Sequence, residues 1–207
     1  TVVMIHDLSF EHLPQTFKRR SWMQMRLTVR RTARSASHVI TDSEYSRQDI
    51  LRTYRLPPER VTTTPLAASS RFAPITDTQE LKRVLDKYEI DGDYVLAVGS
   101  IQPRKNIGRL IRAYTLMRSQ HRDNAPKLVI VGKRAWLFEE TIKAAAISEA
   151  SENIVFTGYV PESDLAALYT GALCFAYPSF FEGFGIPLLE AMRCGTPTIT
   201  SDRTCFP

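Results

Sequence analysis

Short apolar runs alternate with longer stretches of helical periodicity along the chain. "TVVMIHD" (1–7) reads as a buried strand, followed by a long helix over about 18–36. "SHVIT" (37–41) is a strand, Asp42 or Ser43 caps a helix "EYSRQDILRTY", and "RVTTTPL" (60–66) is a short strand. "AASSRFAP" (67–74), small and polar with two flanking prolines, reads as a linker. A second series follows. Helices are expected at 78–89, 106–120, 136–150, 162–171 and from Pro187 to Cys194. Strands are expected at 94–99, 127–132, 153–158, 172–179 and 196–200. Apolar strands alternating with helices imply parallel sheets covered on both faces. The expected fold class is α/β, with two Rossmann-like domains and a cleft between them. Residues 1–70 belong to the first and 71–207 to the second. Ligands in such sheets lie beyond the carboxyl ends of strands, so the strand-to-helix loops should carry the chemistry.

Composition adds limits. The 207 residues allow one or two domains, and 43% hydrophobic with 24% charged residues is ordinary for a chain with a real core. No repeat or low-complexity segment stands out, and runs such as "ALCFAY" are too short to span a bilayer. Cys174, Cys194 and Cys205 form no CxxC pair, and the histidines lack metal-ligand spacing. Buried, reduced thiols in a cytoplasmic protein are expected, and neither a disulfide framework nor a zinc site. Net charge is +5, concentrated in Lys18, Arg19, Arg20, Arg26, Arg30, Arg31 and Arg34. Trp22, Met23, Met25, Leu27 and Val29 are interleaved with them. Two readings stand open: a basic amphipathic helix on an anionic membrane surface, or a solvated helix face over a core stripe. No recognition motif accompanies the charge, so nucleic acid is not an expected partner. The chain starts inside a strand without an initiator Met and stops just past another, as a piece of a longer protein would.

Two loops concentrate chemistry. In "GSIQPRKNIGRL", Gly99 ends a strand and Asn106 is placed to cap the next helix. Arg104 and Lys105 therefore precede a helix N-terminus, where cations are mildly unfavourable unless an anion is shared. A phosphate explains them, and a solvated loop with two surface cations is the plain alternative. Neither G-x-G-x-x-G nor a Walker lysine loop is present, which disfavours dinucleotide oxidoreductases and P-loop enzymes. In "SFFEGFGIPLLEAMRCGTP" (179–197), Pro187 suits a first helical turn and Gly195 the C′ position. Glu182 precedes that helix beside Gly183 and Gly185, which allow close backbone approach to a ligand. Glu190 is expected in or near the first turn, where an acid simply favours the dipole. Two acids and the amides of 183–186 could together hold hydroxyls and phosphate, the groups of a nucleotide sugar.

"FFEGFGIPLLEAM" resembles the E-x(7)-E motif of retaining glycosyltransferases of family 4, also called group 1. "GSIQPRKN" is similar to their phosphate loop, and "FTGYVPESDLAALY" to their nucleotide-base loop. "SEYSRQDI" and "VTTTPLAASSRF" resemble the end of their N-terminal domain. The resemblance spans nearly the whole chain and implies the two-Rossmann GT-B fold, with the N-terminal domain incomplete and a C-terminal end missing. It implies a nucleotide-sugar donor and no cofactor. By the same resemblance Glu182 contacts donor-sugar hydroxyls, Glu190 takes the ribose, and Arg104 and Lys105 bind the diphosphate. Gly99, Ser100, Gly183, Phe184 and the amides of Gly185 and Ile186 assist, Tyr159 and Val160 border the base, and His6 reaches the transferred sugar. Many members carry an arginine where this chain has Ser100, which leaves more of the diphosphate to Arg104 and Lys105.

The likeness is strongest to bacterial mannosyltransferases that use GDP-mannose in O-antigen or exopolysaccharide assembly, with a glycan or lipid-linked acceptor. A nucleotide-sugar epimerase or glucan synthase of the same fold, or a non-catalytic nucleotide-sugar-binding module, are the alternatives.

Overall fold

The structure, a computed structural model, describes residues 1–121 and 125–206. Its contacts divide into two compact units. The first is Thr1–Ala67 with Phe180–Gly185 and the residues from Asp202; the second is Ala68–Ser179 with Ile186–Ser201.

In the first unit, β1 (Val2–Met4), β2 (His38–Thr41) and β3 (Val61–Thr63) form a parallel sheet in that order. Val3 pairs with Val39, and Val39 with Val61. Between them run α1 (Ser9–His12), α2 (Arg19–Ser35) and α3 (Glu44–Tyr54). β1 is not the buried strand its apolar run suggests. In this chain Val2 is 60% and Met4 47% exposed, and burial starts at Ile5. Ile5, Leu8, Val39, Ile50, Tyr54 and Val61 make the core. α2 lays Trp22, Met25 and Val29 against it and buries Ala33, while Met23 and Leu27 stay exposed among the arginines. Ser43 caps α3 by accepting the Ser46 N–H at 3.1 Å.

The second unit is a five-stranded parallel sheet in the order β6-β5-β4-β7-β8. The strands are β4 (Tyr94–Val98), β5 (Lys127–Val131), β6 (Ile154–Gly158), β7 (Cys174–Tyr177) and β8 (Thr198–Thr200). They alternate with α4 (Thr78–Lys87), α5 (Ile107–His121), α6 (Glu139–Ala146), α7 (Glu162–Thr170) and α8 (Ile186–Arg193). Parallel strands need such crossovers, and the helices bury the sheet. Ile107, Ile111, Tyr114 and Ala145 pack with Leu128, Ile130 and Ile154. An aromatic series, Phe72–Tyr169–Phe175–Tyr177, forms a second packed group with centroids 5.3–5.9 Å apart. Gly195 and Thr196 end α8 by donating backbone N–H to Met192 O and Ala191 O. Among the described residues all three cysteines are free thiols, with Cys194 buried and Cys174 and Cys205 half-buried. No described helix is long and apolar enough to cross a membrane.

Asp164 ties α7 to the end of α4. Its buried carboxylate accepts Lys87 Nζ at 2.5 Å and Tyr88 Oη at 2.8 Å. The Lys87 hydrogen bond holds the Asp164 carboxyl below the ordinary carboxylate range, against the opposing effect of burial. A depressed carboxylate pKa stabilises the fold above the unfolded-state pKa, and that contribution is lost as pH falls through the folded value. Asp164→Asn should therefore cost about 1–2 kcal/mol at neutral pH. The gap to wild type should close in acid, as measured by urea unfolding across pH.

Candidate active site

β4 is the pivot of the second unit. The chain leaves it to build β5 and β6 on one side, then returns to build β7 and β8 on the other. The crevice outside the carboxyl ends at such a reversal is the usual ligand position in open α/β sheets. The loop after β4 is Gly99–Ser100–Ile101–Gln102, closed by a 3-10 turn at Pro103–Lys105. Lys105 Nζ donates to Tyr177 Oη, at the end of β7, at 2.6 Å. It also lies 4.8 Å from that ring's centroid. Gly99 backs the lysine stem: a Cβ there would lie 3.4 Å from Lys105 Cε. Arg104 shares the turn and is half-buried. Asn106, the expected helix cap, takes a left-handed φ of 60° and donates from Nδ2 to Pro178 O at 3.0 Å. Both Lys105 and Asn106 thus bind the β4 loop to the end of β7.

The neighbouring strand end repeats the pattern. Gly132 follows β5, and Lys133 and Arg134 follow it. Ile101 N donates to Lys133 O, and Ala135 N to Ile101 O, so the two loops stay zipped beyond the strands. Gly132 is obligatory. Its φ is +148°, and a Cβ would fall 2.0 Å from Gly99 O. Ile101, Gly132, Lys133, Arg134, Gly158 and Tyr159 line a cavity of about 350 Å³. Tyr159 is exposed at its edge with Lys133 Nζ 4.5 Å from the ring centroid. Val160, expected beside Tyr159 at the base, is buried and lies outside this lining.

Ile186 opens α8, and Glu190 falls in its second turn, so favouring the helix dipole does not account for this acid. Tyr169 Oη on α7 donates to Glu190 Oε2 at 2.9 Å. Burial raises the Glu190 pKa above its ordinary value; the Tyr169 bond opposes this and Glu162 adds to it.

The other expected residues sit in the first unit. His6 is exposed, and its Nδ1 lies 2.7 Å from Oδ2 of the buried Asp42. Asp42 Oδ1 is buried and has no hydrogen-bond partner among the described residues. Glu182 is buried, and its N–H donates to Thr204 Oγ1 at 3.2 Å. The smallness of Gly183 serves the protein's own backbone: a Cβ would lie 2.4 Å from His6 O. Its carbonyl accepts Ser43 Oγ at 2.5 Å and Ser46 Oγ at 3.3 Å. Approach to the His6 backbone is therefore sufficient by itself to require a glycine here. Phe184 is half-buried and Gly185, with φ +93°, is buried in the same segment.

The expected residues therefore fall into two sets. His6, Glu182, Gly183, Phe184 and Gly185 gather in the first unit; Gly99, Ser100, Arg104, Lys105, Tyr159, Val160, Ile186 and Glu190 belong to the second. Sequence reasoning missed Asp42, Tyr169, Tyr177, Lys133 and Arg134. The last two were findable, since Gly132-Lys133-Arg134 places cations after a strand-end glycine as Gly99 and Arg104-Lys105 do. The three tyrosine and aspartate partners were not, because only the fold brings them near.

A family model described as "Glycosyl transferases group 1" matches residues 77–207. The chain belongs to the group 1 glycosyl transferases. It is 37% identical over 209 residues to O-antigen chain mannosyltransferase B of Escherichia coli, covering 100% of this chain and 54% of that protein. O-antigen chain mannosyltransferase RfbU of Salmonella typhimurium is 27% identical, over 99% of this chain and 52% of that one. This group 1 chain thus spans about half the length of these curated relatives. Among solved structures, WaaG, a glycosyltransferase involved in lipopolysaccharide biosynthesis, matches with a TM-score of 0.81 at 22% identity, over 99% of this chain and 56% of that one. Anabaena Alr3699/HepE in complex with UDP-glucose matches with a TM-score of 0.78 at 19% identity, over 99% and 54%. At these identities the likeness gives the fold, the parallel α/β arrangement of GT-B glycosyltransferases.

Gly132→Ala should destabilise the second unit by about 2–3 kcal/mol, since it combines a disfavoured φ with a backbone clash. Chemical denaturation monitored by tryptophan fluorescence reads the change.

Proposed function

We propose that the full-length protein transfers a hexose, with mannose preferred, from a nucleoside diphosphate donor to a glycan or lipid-linked acceptor during polysaccharide assembly. GDP-mannose is the favoured donor, and the anomeric configuration is retained. The observation that carries this reading is the Lys105 ammonium held by Tyr177 at the β4/β7 reversal, with Arg104 on the same turn. The mannosyltransferase relatives support the choice of sugar. In this reading the C1–O bond to the diphosphate breaks, a C1–O bond to the acceptor forms on the same face, and the acceptor proton passes to a donor phosphate oxygen. Lys105 and Arg104 offset the charge growing on the diphosphate. Glu182 orients the sugar and stabilises its oxocarbenium character, Glu190 takes the ribose hydroxyls, and His6, aimed by Asp42, reaches the transferred sugar. No side chain acts as a covalent nucleophile, and no metal or cofactor takes part.

The protein would work at the cytoplasmic face of the membrane. α2 supports this placement, since Arg19, Arg30, Arg31 and Arg34 surround the exposed Met23 and Leu27.

Glu182→Ala and Lys105→Ala should each lower kcat/KM for transfer from GDP-mannose by about a hundredfold or more, the size of losing one electrostatic group at a reacting centre. Rates near wild type in either variant would refute the site. On vesicles, Arg30→Glu with Arg31→Glu should weaken retention by anionic lipid, and salt should weaken retention of the wild type. Salt-independent retention, or none, would remove the membrane placement.

A further inference from the structure

The first unit holds a second cavity, of about 350 Å³, lined by His12, Tyr45, Asp49, Arg52 and Thr53. None of these residues has a role in the site assigned above. The volume is within the range of small-molecule sites. Four of the five come from α3, at positions that share one helical face, and His12 closes α1.

The polar groups are already organised. His12 Nε2 lies 2.8 Å from both Asp49 carboxylate oxygens, and Thr53 Oγ1 donates to Asp49 Oδ1 at 3.1 Å. The His12 ring stacks on Phe181 at 5.3 Å and 16°. Tyr45 meets the same Phe181 edge-on at 5.8 Å and 71°. Two aromatic contacts and a hydrogen-bonded histidine thus fix the wall, while Tyr45 and Arg52 remain exposed at the mouth. Burial, with the Asp49 charge adding to it, pushes the Tyr45 hydroxyl up, so it stays an O–H donor at neutral pH.

The chemistry selects a ligand class. A sugar ring offers an apolar C–H face and several hydroxyls, each both donor and acceptor. The cavity offers an aromatic face, a planar guanidinium fork, a carboxylate and two hydroxyls. A free phosphate would meet the Asp49 carboxylate, which opposes it. Phe181, buried behind His12 and Tyr45, directly precedes Glu182 in the sequence.

We propose that this cavity is a saccharide subsite that holds one sugar unit of the acceptor glycan. It rests on the reading that the protein transfers a sugar to a glycan. Mannotriose is the probe, with binding to the full-length protein followed by saturation-transfer NMR and calorimetry. Arg52→Ala and Tyr45→Ala should each weaken mannotriose binding about tenfold, the scale of one charge-assisted hydrogen bond or one aromatic face. Both side chains are exposed, so the variants should fold, and Tyr45→Phe should restore most of the loss in Tyr45→Ala. Calorimetry with GDP on the same preparations reports separately on the donor reading. Equal mannotriose affinity in wild type and variants, no mannotriose binding at all, or displacement by inorganic phosphate overturns the subsite even when GDP binds. If the wild type binds neither GDP nor UDP, the transferase reading fails, and the acceptor subsite with it.

Discussion

The second unit is organised around a steric constraint: the backbones at the ends of β4 and β5 approach so closely that no side chain fits between Gly132 and Gly99 O. That approach lets the two loops continue pairing past the sheet, through Ile101 and Lys133 to Ala135. Each loop then carries two adjacent cations over a strand end. An unconstrained loop would let four cations spread into solvent and lower their mutual repulsion. Here the backbone pairing fixes where both loops run, and the aromatic rings of Tyr177 and Tyr159 sit within reach of Lys105 and Lys133. A positively charged patch held in place in this way is preorganised, which is what electrostatic stabilisation of an anion requires.

The same logic governs the acids, with opposite sign. Glu190 is held on a short helix in surroundings that disfavour its charge, and the Tyr169 hydroxyl partly compensates. Tyr169 itself is wedged between Phe72 and Phe175, so the donor cannot swing away. Asp42 in the first unit is buried and keeps one oxygen for His6, leaving the other without a partner among the described residues. Both carboxylates carry a cost that the packing around them sustains, a pattern found where position matters more than stability.

Periodicity and punctuation carried most of the fold. α3 spans the eleven residues marked out by its pattern and by the Ser43 cap. β4, β5 and β6 fall where short apolar runs end at Gly99, Gly132 and Gly158. The misreadings have physical causes. The apolar run of β1 reads as buried, whereas Val2 and Met4 are exposed in this chain. Glu190 lies one residue deeper in its helix than a start at Pro187 implies, because α8 begins at Ile186 and its start is poorly marked in the sequence. The packing of His6 O against Gly183 was invisible because nothing local in the sequence announces it. The candidate site was legible where adjacent residues carry it, as in Arg104-Lys105 and Glu182, and illegible where a partner arrives from a distant strand.

Ser43 gives this last point a temporal side. Its hydroxyl caps α3 and also donates to Gly183 O, a residue 140 positions later in the chain. On the ribosome, the strands and helices of residues 1–67 emerge long before that acceptor exists. They can collapse around Ile50 and Val39 early, yet the first unit lacks its segment Phe180–Gly185 until β7 has been synthesised. Such a long-range closure is slow to form and late in folding. The loop carrying Glu182 can therefore lock against Ser43 only after β7 has been made.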